Sequence, residues 1–440
     1  MDYDEVFAPV ARYKSIRSLL AISNQYDLEI HQMDVVSAFL NGKLEEEIYM
    51  KQPVGFVNEK FPNKVCRLNS SLYGLKQSAR CWNTMMDAYL KESGYVQNTA
   101  DPCVYIKTEN VKGENIIVLI GVYVDDSILC SNNLEYLKSE KRRISERFEM
   151  DDRGEIDFIL GMKVKRDRAN KVLTIDQKAY LKEVLKRFGM EDCRPVATPT
   201  ECDKKFEKGA EGDERCDVST YQSAIGSLNY AAIATRPDIS FAVGMLSQFM
   251  QNPTQNHWIA VKRILRYIKG TLSFGLKFTH TEDFNLHGYS DSDWAGCTSS
   301  RKSTSGQLFR LGDCTISWRS KKQSIIALSS TEAEYVALCS AAQETTWLRR
   351  MLHGIRMQQV TPTTVYEDNQ GCTALARNPK DHPRTKHIEV KYHFIRDMIA
   401  RKRMDVIYCP TGEMVADTLT KGLAKPKFEK FRQLMGVVSV

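Results

Sequence analysis

The chain has 440 residues, 42% of them hydrophobic, enough to bury two or three ordinary domain cores, and its formal net charge of +7 suits a polyanionic partner without requiring one. Twelve cysteines are scattered with no CxxC pair and no regular spacing, which argues against a zinc knuckle or a disulfide framework. The acidic opening (Asp2, Asp4, Glu5) does not read as a signal peptide, and the longest apolar run, Ile116 to Val124, is about half a membrane span. The expected setting is intracellular and cytoplasmic, with reduced thiols and no membrane contact.

No internal repeat or low-complexity tract stands out. The polar, turn-rich stretch from Pro195 to Asp217 reads as a linker, and a weaker break lies near His280–Asp283. The expected domains are therefore 1–195, a linker and helical piece over 196–283, and 284–440. In the first, a helix begins at Ser15, passes through Tyr26 and Asp27, and gives way to a strand around 29–35 that closes at the turn Asn41-Gly42. A β-branched run from Ile116 is interrupted by Asp125 and Asp126 and resumes at Ser127–Cys130, the pattern of a hairpin with both acids at its tip. The middle piece has helical periodicity and little strand signal. The last piece reads as strands at 285–290, 306–311, 315–319 and 324–328, then a helix after Ser329-Ser330-Thr331. A strand at 364–367, helices at about 370–377 and 386–402, a strand at 405–408 and a helix from Glu413 follow. Consecutive strands followed by strand–helix alternation predict a mixed sheet with helices packed on it.

Asp125 and Asp126 pose an electrostatic problem, because neighbouring carboxylates repel and desolvating a charge costs several kcal/mol unless something compensates. Either the pair forms a solvated turn, or a divalent cation offsets the repulsion. Asp34, near the end of its strand between Met33 and Val35, is the candidate third acid; its other reading is a helix N-cap before Val35–Phe39. The last piece carries four more acids at or near element ends. Asp291 ends the first strand in "GYSDSDWAG", and Glu334 starts a helix in "SSTEAEYVAL". Asp368 stands where strand becomes helix in "VYEDNQG", and Asp417 lies inside the final helix in "GEMVADTLTKGL". Glu334 also completes a capping box with Thr331, Glu332 does the same with Ser329, Asp293 competes with Asp291, and Asp417 reads equally as a solvated helical acid.

The Tyr-x-Asp-Asp box Tyr123–Asp126 and the Asp-Val-x-x-Ala-Phe box Asp34–Phe39 resemble the palm of a reverse transcriptase. With "FAPVARYKSIRSLLAIS", "MDVVSAFLNGKLEEEIYMKQPVGF", "SLYGLKQSARCWN" and "SSTEAEYVAL", the likeness extends from about Asp2 to Ala424 and is to the Pol polyprotein of copia-type LTR retrotransposons. The order Asp291, Glu334, Asp368, Asp417 resembles the Asp-Glu-Asp-Asp set of the ribonuclease H fold. The resemblance implies a mixed α+β chain: a palm and thumb with incomplete fingers, a helical connection, and a ribonuclease H-like α/β domain. It implies RNA-directed DNA polymerase and ribonuclease H activities, with RNA template, DNA primer, RNA–DNA hybrid and deoxynucleoside triphosphates as partners, in the cytoplasm or a virus-like particle. Two Mg²⁺ per active site are implied, with Mn²⁺ as a substitute.

By that resemblance Asp34 and Asp125 bridge the polymerase metals, with Asp126 in support and Tyr123 beside the nucleotide. Phe39 matches the aromatic gate, unless it merely packs in the core. Gly74 lets backbone approach nucleotide or template, while Lys76 and Arg80 meet phosphate or stay solvated on a helix. Asp291, Glu334, Asp368 and Asp417 hold the second pair of metals. Glu334 is preferred to Glu332 because Tyr335, Val336 and Ala337 follow it, and Asp291 to Asp293 because it ends the strand. Basic clusters at Lys138–Arg143, Lys163–Arg168, Arg319–Lys322 and Arg401–Arg403 are solvated faces or a phosphate-tracking groove. Two departures matter. The loop Tyr408–Gly412 lacks the His found before the last acid of cellular ribonucleases H, with only His387 and His393 in the helix before it. The family also carries basic fingers upstream of the stretch matched here, so a truncated element copy or a fragment, with impaired synthesis, is expected. The alternative reading is a remnant that only binds nucleic acid.

Overall fold

The computed structural model describes residues 6–202, 204–377 and 389–440. It divides into two compact units, one formed by the chain up to Leu19 with Tyr26–Ile156, the other by Leu20–Gln25 with Asp157–Val440. Residues 157–195, grouped with the first segment from sequence, thus pack with the C-terminal unit. The first helix, α1 (Tyr13–Gln25), contributes a stretch to each.

The N-terminal unit is built on a six-stranded antiparallel sheet. In chain order its strands are β1 (Glu29–Val35), β4 (Val96–Gln97), β5 (Val104–Val111), β6 (Glu114–Tyr123), β7 (Asp126–Ser131) and β8 (Met150–Glu155), arranged β4-β5-β6-β7-β1-β8. A separate ribbon, β2 (Tyr49–Lys51) with β3 (Val65–Arg67), lies between β1 and β4 in sequence. The β-branched run of β6 occupies the middle of the sheet, where strands are covered on both sides and alternation gives way to continuous apolar character. One face buries Met33, Val118, Ile120, Val122 and Leu129 against Trp82, Met86 and Leu90 of α2 (Ser78–Glu92) and Leu137 and Ile144 of α3 (Leu134–Arg147).

The C-terminal unit holds two sheets. One, antiparallel, has the order β18-β12-β11-β10-β9, from β9 (Phe158–Ile159), β10 (Met162–Asp167), β11 (Val172–Asp176), β12 (Phe274–Thr279) and β18 (Val437–Ser439). Helices α4 (Lys178–Arg187), α5 (Val218–Ala234), α6 (Ser240–Leu246) and α7 (Gln255–Gly270) separate β11 from β12 in sequence, the last three where the helical periodicity of the middle piece predicts helix. The described part of 195–217 has no helix and no ladder strand, in line with its turn-rich composition.

The other sheet has the order β15-β14-β13-β16-β17. Strands β13 (Leu286–Asp293), β14 (Thr304–Leu311) and β15 (Cys314–Lys322) form an antiparallel meander, and β16 (Thr363–Glu367) and β17 (Met404–Tyr408) extend it in parallel from β13. The mixed α/β architecture expected for the ribonuclease H-like part is thus present. The long helix α8 (Ser330–Gly354) crosses this sheet, started by Ser329, whose hydroxyl accepts from the Glu332 amide at 3.2 Å. Helices α9 (Gln370–Arg377) and α10 (Glu389–Ala400) connect the parallel strands, and α11 (Lys425–Leu434) precedes β18.

Three expectations are corrected. Residues 324–328 form no strand: after Lys322 the chain leaves the sheet edge and turns directly into the cap of α8. Asp417 does not lie in the final helix but in a short 3-10 turn, Val415–Leu419, ahead of α11. The turn expected at Asn41-Gly42 is the end of another 3-10 segment, Ala38–Asn41. The predicted helix 386–402 is described from Glu389 to Ala400, and His387 lies outside the described residues.

Candidate active sites

The acids predicted from sequence fall into two groups, one in each unit. In the N-terminal unit, β1 lies between β7 and β8, and Asp34 is directly opposite Asp126 on one side and Asp151 on the other. Strands β6 and β7 are joined by a two-residue turn, Val124-Asp125, closed by the pair Tyr123–Asp126. Val124 takes a φ of 60°, the left-handed conformation that a tight hairpin needs at its first loop position and that a β-branched residue adopts only under strain. Two hydrogen bonds hold the turn in place: the Trp82 indole donates to the Val124 carbonyl at 2.7 Å, and the Val35 amide to the Asp125 carbonyl at 3.0 Å. Asp125 is exposed at the tip, while Asp34 and Asp126 are half-buried. Asp34 is thus a strand residue, not a helix N-cap; Ser37 fills that place on the 3-10 segment.

Burial raises the carboxyl pKa values of both Asp34 and Asp126. The Arg153 guanidinium opposes the shift at Asp34, and a hydrogen bond from Gln32 at 2.7 Å opposes it at Asp126. Arg153, from β8, forms an ion pair with the Asp34 carboxylate, a partner that sequence reasoning did not single out. Phe39 is partly buried against the core, its ring centroid 4.9 Å from that of Tyr73. Gly74 has a φ of 101° and open space where a Cβ would stand. Lys76 is exposed, and Arg80 is committed to Glu46 at 3.1 Å. Of the basic cluster on α3, Lys141 is buried and paired with Asp152, and Arg143 and Lys138 pair with Glu140 and Glu135.

In the C-terminal unit two strands of the sheet and two other elements converge. Asp291 comes from β13, Glu334 from the first turns of α8, Asp368 from the end of β16, and Asp417 from the 3-10 turn. Asp291, Asp368 and Asp417 each offer a carboxylate oxygen within 4.8 Å of the other two, and so do Glu334, Glu367 and Asp368. Asp368 belongs to both triads. Close packing at Gly306 allows the 3-10 turn to reach Asp291, which pairs with Gly306 across β13 and β14. A Cβ at Gly306 would stand 2.7 Å from Thr420 Cγ2 and 2.9 Å from the Ala416 carbonyl.

Glu332 and Asp293 stand apart from the triads. Glu332 accepts the Leu328 amide at 2.7 Å and so belongs to the cap of α8. Asp293 is the last residue of β13, two beyond Asp291.

Burial dominates the electrostatics of this site. It raises Asp291 to about 7; Lys421 opposes the shift, and Asp417 and Asp368 add to it. Burial and neighbouring carboxylates push Glu334 and Glu367 well above the ordinary range. Lys421 lies 2.7 Å from Asp417 and 3.9 Å from Asp291, Lys427 lies 2.5 Å from Asp417, and the Thr420 hydroxyl donates to Asp291. Thr411 donates to Asp368 at 2.8 Å. On the other side, Oε2 of Glu334 and Oε2 of Glu367 are buried with no hydrogen-bond partner. Buried carboxylate oxygens left bare, in an all-oxygen donor set, fit a hard divalent cation.

Glu367, Lys421 and Lys427 were not singled out from sequence. Glu367 had a readable signal: it shares the inward phase of β16 with Thr363 and Val365, so an acid was due to be buried there. The i,i+4 spacing from Asp417 also pointed to Lys421.

Residues 1–202 match the family described as "Reverse transcriptase (RNA-dependent DNA polymerase)". Over 444 residues the chain is 42% identical to a retrovirus-related Pol polyprotein from transposon TNT 1-94 of Nicotiana tabacum, covering all of this chain and 33% of that protein. It is 31% identical to a transposon Ty5-1 protein of Saccharomyces cerevisiae, over 71% of this chain and 100% of that one. Among solved structures, ribonuclease H1 of Halobacterium salinarum aligns with 31% of this chain and 94% of its own, at 16% identity and a TM-score of 0.24. The chain therefore spans about a third of its tobacco relative. Among the described residues no helix is long and apolar enough to cross a membrane.

Proposed function

The chain belongs to the copia-type retrotransposon Pol family, of which it carries a reverse transcriptase domain, and on that premise we propose that it also carries a ribonuclease H-like part, copies RNA into DNA and cuts the RNA strand of the resulting hybrid. The observation that carries the cutting activity is the pair of carboxylate triads sharing Asp368, assembled from four elements of the C-terminal unit. Asp291, Asp368 and Asp417 would hold one divalent cation, and Glu334 with Asp368 the other. Bound there, such cations supply charge neutralisation at the scissile phosphate and acidify a water. The chain's own residues fix the geometry: Thr420 orients Asp291, Thr411 orients Asp368, and Lys421 and Lys427 hold Asp417 in place. In the N-terminal unit Asp34, Asp125 and Asp126 would play the corresponding part at a primer 3′-end, with Gln32 and Trp82 as positioning residues. The partners proposed are an RNA template, a DNA primer, their hybrid and deoxynucleoside triphosphates.

One observation favours a second reading for the N-terminal unit alone. Arg153 sits on the Asp34 carboxylate, and the close carboxylate triads found among the described residues both lie in the other unit. On this reading the palm binds nucleic acid without extending it. A single preparation tests both. Mg²⁺-dependent cutting of RNA in a hybrid is expected, lost in Asp291→Asn and in Asp368→Asn, and cutting that persists in both variants overturns the assignment. Primer extension lost in Asp125→Asn supports synthesis, and its absence in the wild-type chain favours the second reading.

A further inference from the structure

Of the acids in the C-terminal site, Glu367 is not part of the four-acid set matched by resemblance. We propose that it is a fifth carboxylate of the site, and that it makes the Glu334–Glu367–Asp368 pocket the tighter of the two cation positions. The inference rests on the proposed ribonuclease H-like metal site and adds a residue and an order of binding to it.

Three observations converge. Glu367 is fully buried on the inward face of β16, and one of its oxygens lies within 4.8 Å of oxygens from Glu334 and Asp368. Its Oε1 accepts a long hydrogen bond from the Asn369 amide at 3.3 Å, while its Oε2 has no partner, and the same holds for Oε2 of Glu334, itself 6% exposed. Removing such oxygens from water without a partner is costly, so the pocket has a demand for positive charge that protons on the two glutamates meet until a cation replaces them.

The two triads differ in how that demand is met. The Asp291–Asp417 side has its own cations: Lys421 lies 2.7 Å from Asp417 and 3.9 Å from Asp291, and Lys427 lies 2.5 Å from Asp417. A divalent ion arriving there competes with two tethered amines. No lysine, arginine or histidine forms an ion pair with Glu334 or Glu367 among the described residues, so an ion arriving there meets three carboxyl groups and displaces protons, not a tethered amine. Glu367 supplies the third of those carboxylates. With Gln in its place the pocket keeps its shape but has one charge fewer.

Calorimetric titration of the full chain with Mn²⁺ alone tests the proposal without reference to turnover. Wild type is expected to show a tighter and a weaker event in the C-terminal site, the tighter removed by Glu334→Gln and the weaker by Asp417→Asn. Glu367→Gln is expected to weaken the tighter event by about tenfold or more and leave the weaker within a factor of about two, with Glu367→Asp intermediate. Circular dichroism melts in chelator establish that each variant is folded. A Glu367→Gln titration that matches wild type, or weakens both events equally, overturns the proposal while leaving the four-acid site standing. No change in Asp417→Asn and Glu334→Gln overturns the underlying metal site itself.

Discussion

The two units address the same electrostatic problem, several carboxylates in one place, by opposite means. In the N-terminal unit the acids stay at the surface end of a sheet: Asp125 is exposed, Asp34 and Asp126 are half-buried, and Arg153 neutralises Asp34 from the neighbouring strand. In the C-terminal unit Asp291, Glu334, Glu367 and Asp417 are all buried, and only part of their charge is met by Lys421 and Lys427. An open site can keep its charges solvated and gain its geometry from ligands, whereas a buried one has its geometry built in and needs a cation to be stable. Access and preorganisation are traded against each other in one chain.

The largest effect that would sharpen this contrast concerns Asp291. Its folded pKa of about 7 lies above the ordinary value of 3.8. In chelator, therefore, the unfolded chain releases this proton at lower pH than the folded chain does. The contribution of Asp291 to stability is fullest below about pH 4, falls as pH rises towards 7 and then levels off. Asp291→Asn should remove that slope and stabilise the metal-free C-terminal unit near pH 8 by about 1–4 kcal/mol. Urea unfolding at several pH values in EDTA measures it, and a variant less stable than wild type near pH 8 would contradict the account. A smaller effect is expected for Gly306→Ala, whose methyl group would push the Asp417 turn away from β13. The expected loss is about 1–3 kcal/mol, accompanied by weaker stabilisation by Mg²⁺. A melting curve unchanged with and without Mg²⁺ would show that the close approach is not needed.

The smallest effect belongs to the open site. The Arg153–Asp34 pair is partly exposed, so Arg153→Gln should change stability by no more than about 1 kcal/mol. Without the guanidinium, Mg²⁺ has no competitor for Asp34, and half-maximal primer extension should need a few-fold less of it. A higher requirement would mean that Arg153 helps to position the acid instead of competing for it.

Much of this was legible in the sequence because the chemistry sits at element ends, where pattern changes. The interrupted β-branched run gave the β6–β7 hairpin with Asp125 and Asp126 at its tip, and the strand holding Asp34 was read at its observed bounds. Glu332 and Glu334 could be compared from sequence, but only the fold shows that Glu332 caps α8 while Glu334 joins a triad. What stayed hidden was set by tertiary packing. The turn carrying Asp417 is short, so helical periodicity ran it into α11. Arg153 reaches Asp34 through strand order, which local patterning does not specify. The segment 324–328 has strand composition but lies beyond the sheet edge and turns into a cap, tertiary context overriding propensity.

The claim on which the rest depends is that the buried cluster is a two-cation site hinged on Asp368. Anomalous scattering from crystals of the chain soaked in Mn²⁺ tests it most directly. Two peaks in the C-terminal unit, roughly 4 Å apart, with Asp368 contributing oxygen to both, is the expected result. A single peak held by acids other than Asp368, or none beside fully ordered carboxylates, would contradict it.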